Sequence, residues 1–425
     1  MRLEDGDAVR IGDPQIVTTL PGGDTRQMLV ELDIPLQNTG ARTVAAEVSA
    51  GFDDVALRIP VQVPPGGITI RPKVLVTNPK LWWPNGYGAP ALHTAHFAVR
   101  ADGAESDHRQ VRFGMRQITY ELSLMDSGGH LRRVEVDYAH ARALGQRVTD
   151  GRHEAVRRSA GTMADATTPG IAPRGWVNSL TAEGEHSAAV RDLADTRLTP
   201  FLILKVNGVR IAARGGSWGT DDMMKRISRE RLEPYFRLHR EAGVNIIRNW
   251  MGQNTEPVFY DLADEYGLLI TNDFWNSTEN YQMEPADVPL FLANAADTIA
   301  RYRNHPSIAL WFGRNEGMPP PPLNEGLQNL VYGLDGTRWY NGSSNEVSLW
   351  FSGPYNYREP AEYFTTHAKV SRSRWERLRS PRWRRSRRSF PRRTAGRCPT
   401  PGRITIGTRT GTATRTASSR RWTPN

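Results

Sequence analysis

The first stretch of the chain alternates apolar and polar residues with the period of β-strands. Runs at 15–19, 28–34, 43–48, 56–63, 67–76, 92–99 and 111–118 are rich in β-branched residues. Pro21-Gly22-Gly23, Asn38-Thr39-Gly40 and Pro64-Pro65-Gly66-Gly67 punctuate them, at the spacing of a β-sandwich. Residues 1–118 are therefore expected to form an immunoglobulin-like β-sandwich. The loop 78–84 places Trp82 beside Trp83, so one ring is expected to plug the sandwich while the other meets a neighbouring domain. Residues 119–198 have short alternating pieces at 120–124 and 132–136 amid Ala-, Arg- and Gly-rich sequence, and read as an elaborated linker with one hairpin.

From about residue 200 the pattern becomes strand and helix in turn. Strands at 201–206 and 209–213 lead into the loop Arg214-Gly215-Gly216-Ser217-Trp218-Gly219-Thr220-Asp221-Asp222. Ser228 is suited to cap a helix that runs to Gly243. A strand over 245–250 follows, ending in Arg248-Asn249-Trp250. Thr255 is expected to cap the next helix, with Pro257 in its first turn and Gly267 as its stop. The strand at 268–271 runs into Asn272-Asp273-Phe274-Trp275, and a helix over 286–303 halts before His305-Pro306. The run 308–312 has the hydrophobicity of a strand buried on both faces, and Gly313-Arg314-Asn315-Glu316 follows it.

Four strand–helix units in succession, each strand ending in polar or aromatic residues, predict the first part of a (β/α)8 TIM barrel over 199–369. A doubly wound sheet would instead want a phosphate-binding glycine loop. Arg214-Gly215-Gly216 does not open a helix at that spacing.

Composition narrows the picture further. No apolar run is long enough to span a membrane, and the first seven residues carry four charges and no signal-like core, so the compartment by default is cytoplasmic. The single cysteine, Cys398, cannot form an internal disulfide. The net charge of +10 is uneven: residues 371–425 hold seventeen arginines against one acid, Glu376, which leaves the rest mildly acidic. Any argument for nucleic acid is thus confined to the tail, and none is expected as a partner.

Together, Leu81-Trp82-Trp83-Pro84, Phe113-Gly114-Met115-Arg116, Gly215-Gly216-Ser217-Trp218 and a fourth strand ending Asn315-Glu316 resemble family 2 of the glycoside hydrolases. The branch of β-mannosidases and exo-β-glucosaminidases is the most similar, and the resemblance covers residues 1–369. It implies a carbohydrate substrate, hydrolysis of terminal β-linked sugars by a retaining route, and no metal or organic cofactor. By resemblance Glu316 is the general acid/base, which must protonate a poor leaving group and later deprotonate water. Asn315 matches the asparagine that bonds the sugar's 2-substituent. Arg248, Trp250, Asp273, Trp275, Trp218 and Asp222 occupy rim positions suited to hydroxyls and stacking. Arg248 is equally suited to holding a carboxylate, and Trp218 and Trp275 to packing. Trp339, Tyr340, Asn345 and the segment 352–357 continue in the style of a sugar site.

Two departures stand beside the resemblance. The family's N-terminal jelly roll does not precede the sandwich. A retaining enzyme also needs a second carboxylate about 5–5.5 Å from the first, and the segment after Lys369 lacks the family's glutamate motif. Glu346, Glu359 and Glu362 lie nearby without that motif, so the nucleophile is unassigned. Residues 370–425 read as a disordered or frameshifted tail: suitable codons for 370–376, shifted by one nucleotide, spell Gly-Phe-Glu-Ile-Glu-Val-Gly. A barrel stopped there would expose a sheet edge. A catalytically silent carbohydrate-contacting remnant and a basic-tailed binding protein are the alternatives.

Overall fold

The computed structural model describes residues 9–152, 157–158, 176–193, 202–219, 224–276, 284–315, 317–344 and 359. Two antiparallel sheets come first. The twelve-residue strand Gln27–Asn38 is the hub of one, pairing with Val9–Ile11, Gln15–Thr19, Ile68–Ile70 and Lys73–Thr77. The other runs in the order Val55–Val63, Val44–Phe52, His93–Ala101, Ala104–Phe113. Every second residue faces inward: Met28, Val30, Leu32, Ile34 and Leu36 meet Val48, Ala50, Phe52, Phe97 and Val99 in one core. The run expected at 67–76 is split at Arg71-Pro72, since proline withholds an amide from the ladder.

Leu81 packs against this core, whereas Trp82 turns into the next one and donates Nε1–H to the Asp264 carbonyl at 2.9 Å. The neighbour that receives an indole is thus separated from the sandwich by a single residue. Trp83 lies over Gly88, where a Cβ would come within 2.7 Å of the ring.

The span expected to hold a linker and one hairpin is richer. Ile118–Met125 pairs with Leu131–Val136 and with Ile203–Val206 in a seven-stranded mixed sheet. The hairpin Ile203–Val206/Val209–Arg210 therefore belongs here, turning at Asn207 and Gly208 with positive φ, and does not lead the parallel unit. Tyr120, Leu122, Val134 and Val206 share a core with Leu269, Leu310, Phe312 and Trp339.

The parallel unit consists of β1 (Gly215–Trp218), α1 (Arg229–Glu241), β2 (Ile246–Asn249), α2 (Pro257–Tyr266), β3 (Leu269–Asp273), α3 (Val288–Tyr302), β4 (Ile308–Phe312), α4 (Pro321–Leu330) and β5 (Trp339–Asn341). The five strands are parallel and adjacent in chain order. Ser228 caps α1 through Oγ, and Asp287 caps α3 by accepting from Leu290 N at 2.9 Å. For α2 the cap position is Glu256, not Thr255; no side chain caps it, Pro257 opens the helix and Gly267 ends it at φ 68°.

The glycine-rich loop expected at 214–222 begins as β1. Gly215 has to be glycine, since a Cβ would lie 1.7 Å from the Ile246 carbonyl oxygen. β3 and β4 are buried throughout, on both faces, which is why they read as continuous apolar runs. Phe236, Phe259, Leu262, Ile299, Trp311 and Leu327 form the core between strands and helices.

The start of β4 is bolted down from several directions. The Ile308 carbonyl accepts from Arg116 Nη2 at 2.8 Å and Arg338 Nε at 2.7 Å. Arg338 Nη1 pairs with both oxygens of the buried Asp335, 2.9 Å each, and Trp311 Nε1 donates to the same carboxylate at 2.8 Å. Asp335 is held below the usual carboxylate range: burial opposes ionisation, but Arg338, Thr337 and Trp311 outweigh it. No helix among the described residues is long and apolar enough to cross a membrane.

Candidate active site

The opposite end of the same strands carries the candidate chemistry. In the register Arg248 stands beside Thr271 and Asn249 beside Asn272, so alternation along each strand sends the two pairs to opposite faces. On the helix side Asn249 Nδ2 and Tyr260 OH both donate to Asn272 Oδ1 at 2.8 Å. On the other side Arg248 makes a two-pronged ion pair with Asp273, Nε–Oδ1 2.9 Å and Nη2–Oδ2 2.7 Å. The same Nη2 reaches Asn315 Oδ1 at 2.9 Å. One guanidinium thus ties together the C-terminal ends of β2, β3 and β4.

The pair is asymmetric: the Arg248 side chain is 22% exposed and that of Asp273 0%. Burial pushes the Asp273 carboxyl above its ordinary range, with Arg248 and the Met251 amide pulling the other way. Met251 N donates to Oδ2 at 3.0 Å because the chain folds back after Trp250, with Met251 at φ 52° and Gly252 at φ 59°. A left-handed methionine is a locally costly conformation, and here it delivers an amide to a buried carboxylate. Gly252 lies so near the Asp273 carbonyl that a Cβ would sit 2.6 Å from it. The Arg248 guanidinium also stands 5.2 Å over the Phe312 ring.

Of the residues singled out from sequence, Arg248, Asp273 and Asn315 come together. Arg248 holds the Asp273 carboxylate and keeps part of its guanidinium side chain exposed. Trp250 is half-buried in the turn beside them. Trp275 is half-buried next to Gly252, its ring edge-on to Phe291 at 5.3 Å. Trp218 does not join the group. It shares a face with Asn249, and its ring packs against Tyr235, Phe236, His239 and Phe259 on the helix side. That is a packing position, the correction that strand alternation imposes. Tyr340 donates to Asn324 Oδ1 at 2.8 Å towards α4, and Trp339 is wholly buried in the inner core, so neither stands at the rim. Glu316, Asp222, Asn345 and the segment 352–357 lie outside the described residues.

Sequence reasoning missed the supports of Asn315. Its amide donates to the Asn276 carbonyl at 3.1 Å, and Asn276 Nδ2 donates to the Gly313 carbonyl at 3.0 Å. Ser344 N donates to the Asn315 carbonyl at 3.2 Å. Arg314, almost fully buried, spans from the Met318 carbonyl to Glu284. Asn276 follows Phe274-Trp275 directly, and its place past a rim strand was a usable signal; Ser344 had none. Among the described residues no cluster of His, Cys, Asp or Glu could hold a metal ion.

The family described as glycosyl hydrolases family 2 matches residues 9–116. A mannosylglycoprotein endo-beta-mannosidase of Lilium longiflorum is 27% identical over 348 residues, 72% of this chain and 29% of that protein. Beta-mannosidase B of Thermothelomyces thermophilus is 39% identical over 114 residues, 26% of this chain and 13% of its own. The chain spans less than a third of the length of these curated relatives. Among solved structures, a Dictyoglomus thermophilum beta-D-mannosidase superposes with a TM-score of 0.54 at 21% identity, over 80% of this chain and 35% of that one. An exo-chitosanase of Amycolatopsis orientalis does so with 0.59 at 16% identity, over 86% and 36%. These two likenesses concern the fold alone. Over residues 9–116 the chain matches family 2 of the glycosyl hydrolases, and the relatives it is similar to lie on the β-mannosidase-like branch.

Proposed function

We propose that this chain is the sugar-gripping part of a glycosidase that hydrolyses terminal β-linked sugars by a retaining mechanism, with Glu316 as acid/base. In this reading 1–118 is an immunoglobulin-like support, 119–213 a connector that includes the hairpin 203–210, 214–369 the first part of a (β/α)8 barrel, and 370–425 a disordered or frameshifted tail. Sequential parallel strands with helical crossovers support the barrel. One observation carries the functional reading: the guanidinium of Arg248 joins Asp273 and Asn315 at the C-terminal ends of three adjacent strands.

Arg248 holds the carbonyl oxygen of Asn315 and so sets which way its NH2 is presented to the sugar's 2-substituent. Asp273 serves as the buried brace of that arginine. Engaged by two guanidinium nitrogens and a backbone amide, it is unsuited to attack an anomeric carbon. The nucleophile therefore remains unassigned in this chain, and the composition after Val370 favours a second reading, a carbohydrate-binding remnant without turnover.

Chromogenic β-mannoside, β-glucosaminide and β-galactoside separate the two. Turnover that falls about 100-fold or more in Glu316→Gln supports the hydrolase. Saturable binding without turnover supports the remnant. Turnover indifferent to Glu316→Gln, or neither turnover nor binding, overturns the assignment.

A further inference from the structure

The sandwich loop 82–87 ends on the C-termini of two helices. Asn85 Nδ2 donates to the Arg240 and Val244 carbonyls at 2.9 Å each, closing off the end of α1. Its backbone N donates to the Gly267 carbonyl at 2.7 Å, at the stop of α2, where the Asp264 carbonyl already receives Trp82. One asparagine thus supplies three donors where helices present unmet carbonyls. The residue that follows it is glycine. Three Asn-Gly steps occur in the chain, at 85, 207 and 341, and they are not alike. Asn207 is 3% exposed and Asn341 1%, and both ends of each side chain are bonded. Asn207 meets the Gln117 amide and the Trp82 carbonyl, and Asn341 the Ser343 amide and carbonyl. Asn85 is half-buried, Gly86 is exposed, and Asn85 Oδ1 accepts from no described residue.

The backbone nitrogen of the next residue attacks an asparagine side chain most readily when that residue is glycine, because no Cβ stands in the way. Tyr87 N donates to the Pro84 carbonyl at 3.0 Å, so Asn85 and Gly86 are the central pair of a tight turn, with Gly86 at φ 86°. Gly86 N donates to no described residue. Arg214, held through Nε by the Gly243 carbonyl, brings Nη2 to 3.1 Å from where a Cβ on Gly86 would be. A cation there favours the deprotonated amide that attacks.

We infer that Asn85-Gly86 is a site of spontaneous covalent modification that undoes the cap on α1. Gly86 N forms a bond to Cγ of Asn85, the Cγ–Nδ2 bond breaks, and ammonia leaves with the proton of the Gly86 amide. Water then opens the five-membered imide at either carbonyl, leaving aspartate or isoaspartate. Neither product keeps the NH2 that met Arg240 and Val244. Aspartate turns a carboxylate towards carbonyls at the negative end of a helix. Arg214 offsets part of that charge but replaces neither bond, since its Nε is committed to Gly243. Isoaspartate lengthens the backbone by one carbon and pulls the turn out of step with Gly267.

The test ages the full chain in mildly alkaline buffer below its melting temperature, beside a synthetic peptide of residues 81–90. Peptide mass mapping should show a gain of one mass unit first at residue 85, with isoaspartate present, while 207 and 341 stay unchanged as long as the chain is folded. Asn85→Gln, whose longer side chain must close a six-membered ring, should not convert over the same period. The aged fraction and Asn85→Asp should both melt about 3 °C or more below the parent. No conversion at 85 over the time in which the peptide converts fully, earlier conversion at 207 or 341, or an aged fraction that melts with the parent would overturn the proposal.

Discussion

The two ends of β4 are built from the same materials to different ends. At its start Arg338 and the buried Asp335 form a closed ion pair, with Trp311 and Thr337 filling the remaining bonds of the carboxylate. At its finish Arg248 and Asp273 form an equally short pair, but the arginine is 22% exposed and has spent one bond on Asn315. A closed network holds strands in register. An open one holds a side chain up to whatever enters. The contrast teaches that a buried arginine–aspartate pair has no meaning by itself; the solvent exposure of the arginine and the identity of its third partner decide.

The comparison can be broken by mutation. Asp335→Ala should give the largest loss of stability, about 4 kcal/mol, because it strands the Arg338 charge and the Trp311 N–H in a dry core. Chemical denaturation measures it, and a loss below about 1 kcal/mol would mean that the base is not closed. Arg248→Met should cost about 3 kcal/mol by leaving Asp273 unpaired, somewhat less because water can reach the rim. In contrast to Asp335→Ala, it should also abolish sugar binding in whatever fraction remains folded.

Titration sharpens the same contrast. The Asp335 carboxyl is depressed in the fold, so its contribution is present above the ordinary carboxylate range and is lost as pH falls through that range towards its folded value. Asp273 is raised, so the native state binds the extra proton, and its contribution weakens as pH rises from the ordinary range through the folded value. Asp335→Asn should therefore flatten the acid-side loss of stability, whereas Asp273→Asn should steepen it. Two parallel curves would contradict the difference between the ends. Asn315→Ala should have the smallest effect on stability, about 1 kcal/mol, since water can replace its bond to Arg248.

What could be read in the sequence follows from how local each feature is. β4 falls at 308–312 as its apolar run predicts, and Ser228 caps α1, because both are decided within a few residues. β1 reads as a loop since Gly215-Gly216-Ser217 has poor strand propensity; only the pairing of Gly215 with Ile246, far along the chain, makes it a strand. The three-residue β5 is too short to carry a period. Arg248, Asp273 and Asn315 could be named from their places after strands, but the bond that joins them spans 67 residues and is invisible locally. Trp218 misled because the residue before it, not the tryptophan, faces the side that Arg248 faces. Arg116 and Arg338 at the base come from distant segments, and the exit motif ending in Arg116 gives no hint of the other.

The central claim is that the open end of β4 grips a sugar through Asn315 as Arg248 sets it. The most direct measurement is a calorimetric titration of p-nitrophenyl β-mannoside into the full chain and into Asn315→Ala, with melting temperatures taken alongside. The account predicts saturable binding to the parent chain, weakened at least about tenfold in a variant that melts within a few degrees of it. Equal affinities in the two proteins, or no saturable binding to the folded parent, would contradict it.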